Sequence, residues 1–166
     1  MSEYPLLLLF PAAMAFAGAM DLFTMTIPNR ISLALLAAFA VCSAAAGLTL
    51  EQFAMHIACG AVILVIGMGM FAARLLGGGD AKLMAASAVW VGADNLMLYF
   101  LLISVLGGVL AVALLAYRKL PANTLGLPGW AARLHVPGSS MPYGVAIAAA
   151  ALWIYPQTIW FSTFSG

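Results

Sequence analysis

The sequence predicts an all-α fold: a polytopic integral membrane protein with six transmembrane helices, N- and C-termini outside, and a short fourth helix. Three observations predict it. Hydrophobic residues make up 66% of the chain and charged residues 7%, with a mean hydropathy of +1.12. A water-soluble chain carries about 25% charged residues, so this one cannot cover a water-facing surface. Apolar runs close to the roughly 20 residues of a spanning helix recur between polar or Pro/Gly breaks. The six Lys and Arg residues fall on alternate connections, as the positive-inside rule requires. A length of 166 residues implies a single domain, residues 1–166.

In chain order, Tyr4 to Met20 is the first span. Glu3 stands where a secretory signal needs a basic leading region, so the span is read as permanent. Asp21 and Ile27-Pro28-Asn29 close it. Ile31 to Leu48 is the second span, with Ser32 as a candidate cap, and a polar link through Glu51 and Gln52 leads to the third, Phe53 to Leu76. Gly77-Gly78-Gly79 interrupts the pattern. Each glycine costs about 1 kcal/mol relative to alanine inside a helix, so these read as a hinge. Ala81 to Gly92 is the short fourth span, Asp94-Asn95 punctuates, and Leu96 to Tyr117 is the fifth. Arg118-Lys119-Leu120-Pro121 ends that helix. The segment with Trp130, Arg133 and His135, running to Pro137-Gly138, has a composition suited to the lipid–water interface. Met141-Pro142-Tyr143 opens the sixth span, which ends near Trp160, and Tyr143 reads as an interfacial anchor or a groove-lining residue.

Arg30, Arg74, Lys82, Arg118, Lys119 and Arg133 all lie in the first, third and fifth connections, whereas Glu3, Glu51 and Asp94 lie on the other side. This places the basic connections in the cytoplasm. Asp21 and Asp80 then share the cytoplasmic side and Asp94 takes the opposite one. Because the fourth span is short, the glycine hinge must dip below the membrane surface. Irregular backbone at that depth is tolerated only inside protein or along a wet cavity, so a recess is expected under Asp80.

Some functional classes are excluded. A net charge of +1 with no basic cluster argues against nucleic acid. Cys42 and Cys59 lie in apolar runs without paired zinc or redox motifs, and His56 and His135 lack metal-ligand spacing, so no cofactor or metal is expected. What remains is a pair of acids. Ionisable residues within a membrane protein are functional-site candidates. Two carboxylates sharing one proton can take a proton from an attacking water and give one to the substrate oxygen. Asp21 and Asp80 are therefore the candidate catalytic pair. Asp80 precedes a helix, whose N-terminal partial charge favours the anion; Asp21 ends one, which makes it the expected protonated member. Lys82 is read either as tuning the pair or as snorkelling to the interface, and Asn29 as a turn or capping residue.

Asp21 followed by Ile27-Pro28-Asn29, together with Gly77-Gly78-Gly79-Asp80-Ala81-Lys82-Leu83, resembles the two aspartate motifs of type IV prepilin peptidases, aspartic proteases of the Gly-x-Gly-Asp class. Trp90-Val91-Gly92 and Pro142-Tyr143-Gly144 are also similar to family features. The resemblance implies a bacterial inner-membrane endopeptidase, its active site facing the cytoplasm, in which Asp21 and Asp80 are catalytic. Its implied substrates are prepilin and pseudopilin precursors, cut after a glycine between a short basic leader and a hydrophobic stem. Contact with the lipid bilayer and with pilus assembly machinery is also implied. Longer relatives carry a cysteine-rich insert between the first two spans and methylate the new N-terminus. Here that connection is only Leu22 to Arg30, which is similar to the short form of Flp-type tight-adherence pili. The basic residues that often follow the first aspartate are replaced by Phe23 and Met25.

Two other classes fit less well. A proton- or cation-coupled transporter would hold its charges near the midplane, and these sit at one end. A non-catalytic subunit of a pilus or secretion assembly would not need both aspartates.

Overall fold

A computed structural model describes residues 4–120, 127–136 and 138–164. Glu3, Pro121 and Pro137, used above to mark boundaries, lie outside the described residues. All the regular structure among them is helical: α1 (Tyr4–Thr24), α2 (Asn29–Ala45), α3 (Leu50–Ala72), α4 (Gly78–Val91), α5 (Ala93–Arg118), α6 (Gly129–His135), α7 (Tyr143–Ile154), a 3-10 turn (Tyr155–Gln157) and α8 (Ile159–Phe164). The helices Pro5–Thr24, Leu50–Ala72 and Ala93–Arg118 are long and apolar enough to cross a bilayer, and Asn29–Ala45 is a shorter apolar helix. The protein is an integral membrane protein.

α4 is the centre. At 14 residues it spans only about 21 Å at 1.5 Å per residue, and Ala81, Leu83 to Val91 are all buried. A helix that is apolar all round belongs inside a bundle, and α2, α3, α5 and α7 each pack on α4. Glycines set how closely the neighbours approach. A Cβ at Gly60 would sit 2.2 Å from Val89 Cγ2, and one at Gly67 3.0 Å from Ala81 Cβ, so α3 lies against α4 almost backbone to backbone. Gly18 does the same for α1 on α7, where a Cβ would sit 2.9 Å from that of Ala148.

The end of α4 away from Asp80 is pinned by aromatic groups. Trp90 is fully buried, its ring centroid 5.1 Å from those of Phe10 and Trp160. Its indole donates to the Leu35 carbonyl at 3.0 Å, and Trp160 donates to the Trp90 carbonyl at 2.7 Å. His56, expected to have no chemical role, donates through Nδ1 to the Val89 carbonyl at 2.7 Å. Each of these indole and imidazole N–H groups thus finds a carbonyl partner.

Several boundaries differ from the expectation. The glycine run is not a hinge: Gly77 is the N-cap of α4 and Gly78 and Gly79 form its first turn, all with negative φ. The penalty for glycine belongs to helix interiors, and the first turn escapes most of it. What the run supplies is clearance, since a Cβ at Gly79 would sit 3.2 Å from Ile27 Cβ. Glu51 and Gln52 belong to α3 rather than to a link, because Thr49 and Gln52 form a capping box. Ser32 does not cap α2; Pro28 occupies the N-cap and Ser32 lies in the first turns. Asp94 and Asn95 likewise sit in the first turn of α5, the whole α4–α5 connection being Gly92 at φ 74. The apolar run read as one sixth helix breaks at the 3-10 turn, where Pro156 has no N–H to continue the ladder. The segment around Trp130 is ordered as α6 and docks against the neighbouring helix ends. Arg118 donates to the carbonyls of Leu134 and Ser139, each at 2.9 Å, and Arg133 donates to the Phe23 carbonyl.

Candidate active site

Asp21 lies in the last turn of α1, inside the helix rather than beyond it, and is 6% exposed. The chain leaves α1 through Met25 at φ 56, which turns it sharply toward Ile27-Pro28 and α2. Asp80 occupies the third position of α4, where its carboxylate folds back over the N-cap: a Cβ at Gly77 would sit 2.6 Å from Asp80 Oδ2. A side chain at Gly77 would push the Asp80 carboxylate out of this position.

Asp21 and Asp80 line one cavity of about 1180 Å³. This is the recess expected under Asp80. α3 and α5 form its sides, from Ile66 and Met70 on one to Leu96 and Phe100 on the other, with Met84 of α4 on the floor. Its walls are apolar over most of their length, and the aspartates sit at one end with Met25, Arg74 and Tyr143. Met25 and Arg74, at φ 56 and 61, are the non-glycine residues with positive φ among the described residues. A side chain held in the left-handed region costs about 1–2 kcal/mol, and both such positions fall on this cavity. Asp94 lies at the other end of α4, outside it.

The opening of α7 completes the acid pair. The backbone N–H of Gly144 donates to Asp21 Oδ2 at 2.7 Å. It is one of the N–H groups that the first turn of a helix leaves without an internal partner, and such termini suit anions. Asp21 can reach it only because residue 144 has no side chain: a Cβ would sit 2.8 Å from Asp21 Oδ2 and 2.7 Å from Ile27 Cδ1. The expected electrostatic contrast between the two acids is therefore reduced. Asp80 faces the N-terminus of its own helix, and Asp21, at the unfavourable end of α1, borrows that of α7.

The other residues singled out from sequence fall as follows. Lys82 does not line this cavity; its Nζ donates to Asn29 Oδ1 at 3.0 Å, tying the start of α2 to α4. Asn29 is a cross-helix acceptor rather than a cap. Tyr143 lines the cavity, in keeping with the groove-lining reading, and Gly107 of α5 makes room for its ring, since a Cβ there would sit 2.6 Å from Tyr143 Cε2. Cys42 and Cys59 are buried free thiols. Among the described residues, no group of three His, Cys, Asp or Glu side chains gathers that could hold a metal ion.

Two acids from separate helices thus line one largely apolar cavity of a helical membrane protein. Residues 8–112 match the type IV leader peptidase family, and the chain belongs to it. That membership makes it a peptidase, with prepilins as its class of substrate. No curated protein and no solved structure gives a significant match to the chain. The match spans both aspartates and ends before Gly144, whose part in the site rests on geometry alone.

Proposed function

We propose that the chain is a membrane aspartic endopeptidase that removes the N-terminal leader of type IV prepilins, with Asp21 and Asp80 as its catalytic pair. The observation that carries this reading is the shared cavity: two carboxylates from α1 and α4, each beside a helix N-terminus, lining one largely apolar groove. One carboxylate accepts a proton from water as its oxygen attacks the scissile carbonyl. The other, protonated, gives its proton to the carbonyl oxygen, and the proton gained by the first passes to the departing amine. As the C–N bond breaks, the second carboxylate takes a proton back from a hydroxyl of the tetrahedral intermediate, so each group returns to its own starting state.

The groove between α3 and α5 suits the hydrophobic stem of the precursor, laid along the helices with the scissile bond at the aspartates. In this proposal the six apolar runs cross the bilayer with the basic connections in the cytoplasm, where leader and active site meet. The α1–α2 connection, only Met25 to Pro28 between the helices, supports a short, Flp-type enzyme without methyltransferase activity.

Purified protein in detergent is mixed with a leader-bearing prepilin and compared with Asp21→Ala and Asp80→Ala. The parent is expected to release the leader, and each variant to lose about 10³-fold or more in rate, the scale of a general acid or base. Cleavage by either variant at the parental rate would reject the site.

A further inference from the structure

α2 and α3 follow one another in the chain and touch where Phe39 meets Phe53 and His56, but each packs mainly on α4. The gap between them is a second cavity of about 460 Å³. Leu33, Leu36, Ile57 and Leu64 form its apolar walls, and Ala85 and Val89 of α4 its floor. Its polar lining, Asn29, Ser32 and Lys82, gathers at one end, level with the first turn of α4. There the Lys82 ammonium donates to a neutral group, Asn29 Oδ1, which does not cancel its charge. The Ser32 hydroxyl is buried without a hydrogen-bond partner, in a residue only 7% exposed. No side chain caps α2, so its first N–H groups add to the positive character of that end.

A groove with a cation and an unpartnered hydroxyl at its mouth and hydrocarbon along its length is complementary to one kind of molecule already present in the bilayer. We propose that this groove binds an anionic phospholipid from the leaflet on the aspartate side. One acyl chain lies between α2 and α3 on the floor of α4, and the phosphate rests on Lys82, with Asn29 and Ser32 as neutral partners. A zwitterionic lipid is disfavoured because its own cation opposes that of Lys82. Free phosphate is disfavoured because it leaves the apolar walls uncovered.

Native mass spectrometry of the full chain, released from detergent after titration with phosphatidylglycerol, phosphatidylcholine of the same acyl chains, or inorganic phosphate, tests this directly. Phosphatidylglycerol is expected to remain bound about five-fold more than phosphatidylcholine, the effect of one basic contact. Lys82→Gln is expected to bring the two lipids level, whereas Lys119→Gln on another connection leaves the preference intact. Because Lys82→Gln also removes the Asn29 contact, Ala61→Trp serves as the independent variant: Ala61 of α3 lines the apolar part of the groove, so the indole fills it and keeps every charge, and is expected to remove the lipid adduct. Equal retention of the two lipids would overturn the proposal, as would equal effects of Lys82→Gln and Lys119→Gln. Displacement of bound lipid by inorganic phosphate, or an undiminished adduct on Ala61→Trp, would overturn it too.

Discussion

α3 stands between two grooves that share a floor and differ at one end. Both are walled by aliphatic side chains and both rest on α4. The groove toward α5 ends in Asp21 and Asp80; the groove toward α2 ends in Lys82, Asn29 and Ser32. Helical geometry produces the split. Residues two apart on a helix of 3.6 residues per turn point about 200° apart, so Asp80 and Lys82 leave the same first turn on opposite sides. Met84 follows Asp80 into the first groove, and Ala85, Ala86 and Val89 follow Lys82 into the second. One short helix thereby separates a pair of acids from Lys82. A lysine facing the acids would form an ion pair with one of them and hold that one ionised; Lys82 instead faces Asn29.

The comparison can be broken most severely at Gly144. Replacing it with valine puts a side chain where Asp21 Oδ2 and Ile27 Cδ1 now lie, and is expected to lower kcat by about 100-fold, the scale of a misplaced catalytic group. Leader-release rates alongside circular dichroism check it; parental kcat in Gly144→Val would show that the α7 N-terminus has no part in the site. A smaller effect sharpens the contrast between groove and lipid face. Ile66 lines the first groove and Val65, 70% exposed, does not. Ile66→Trp is expected to raise KM for the precursor about ten-fold, in line with lost apolar burial of about 1–2 kcal/mol, while Val65→Trp leaves KM unchanged. Equal KM values would detach the groove from the substrate. The mildest effect lies on the shared floor. Gly60→Ala meets Val89 Cγ2 and the Ala85 carbonyl and is expected to lose about 1–3 kcal/mol by overpacking, whereas Gly69→Ala, with nothing within 4 Å, does not destabilise. Unfolding curves in detergent decide between them.

How far the sequence can be read follows from which interactions are local. Asp21 and Asp80 could be paired from sequence because each carries its own flanking signal and because hydropathy assigns both to one side. The shortness of the fourth helix and its end at Gly92 were equally legible. Thr49-x-x-Gln52 was a readable capping box that the apolar pattern obscured, and Pro156 was a readable break in the last apolar run. The function of Gly77, Gly79 and Gly144 was not legible. Their value is clearance for Asp80, Ile27 and Asp21, and clearance depends on a neighbour brought in from elsewhere in the chain. The side of α4 taken by Lys82 needed the position of α2. The two grooves needed more still, since consecutive helices α2 and α3 touch at Phe39, Phe53 and His56 and otherwise pack mainly on α4.

The central claim is that residues 21 and 80 meet in one pocket, and proximity can be measured without reference to activity. In a background with Cys42 and Cys59 replaced by alanine, the pair Asp21→Cys and Asp80→Cys is treated in membranes with a short thiol-specific cross-linker, beside a second pair, Asp21→Cys and Asp94→Cys. An intramolecular link between 21 and 80 and none between 21 and 94 is the predicted result. A link to 94 and none to 80 would place the two acids at opposite ends of α4 and contradict the account.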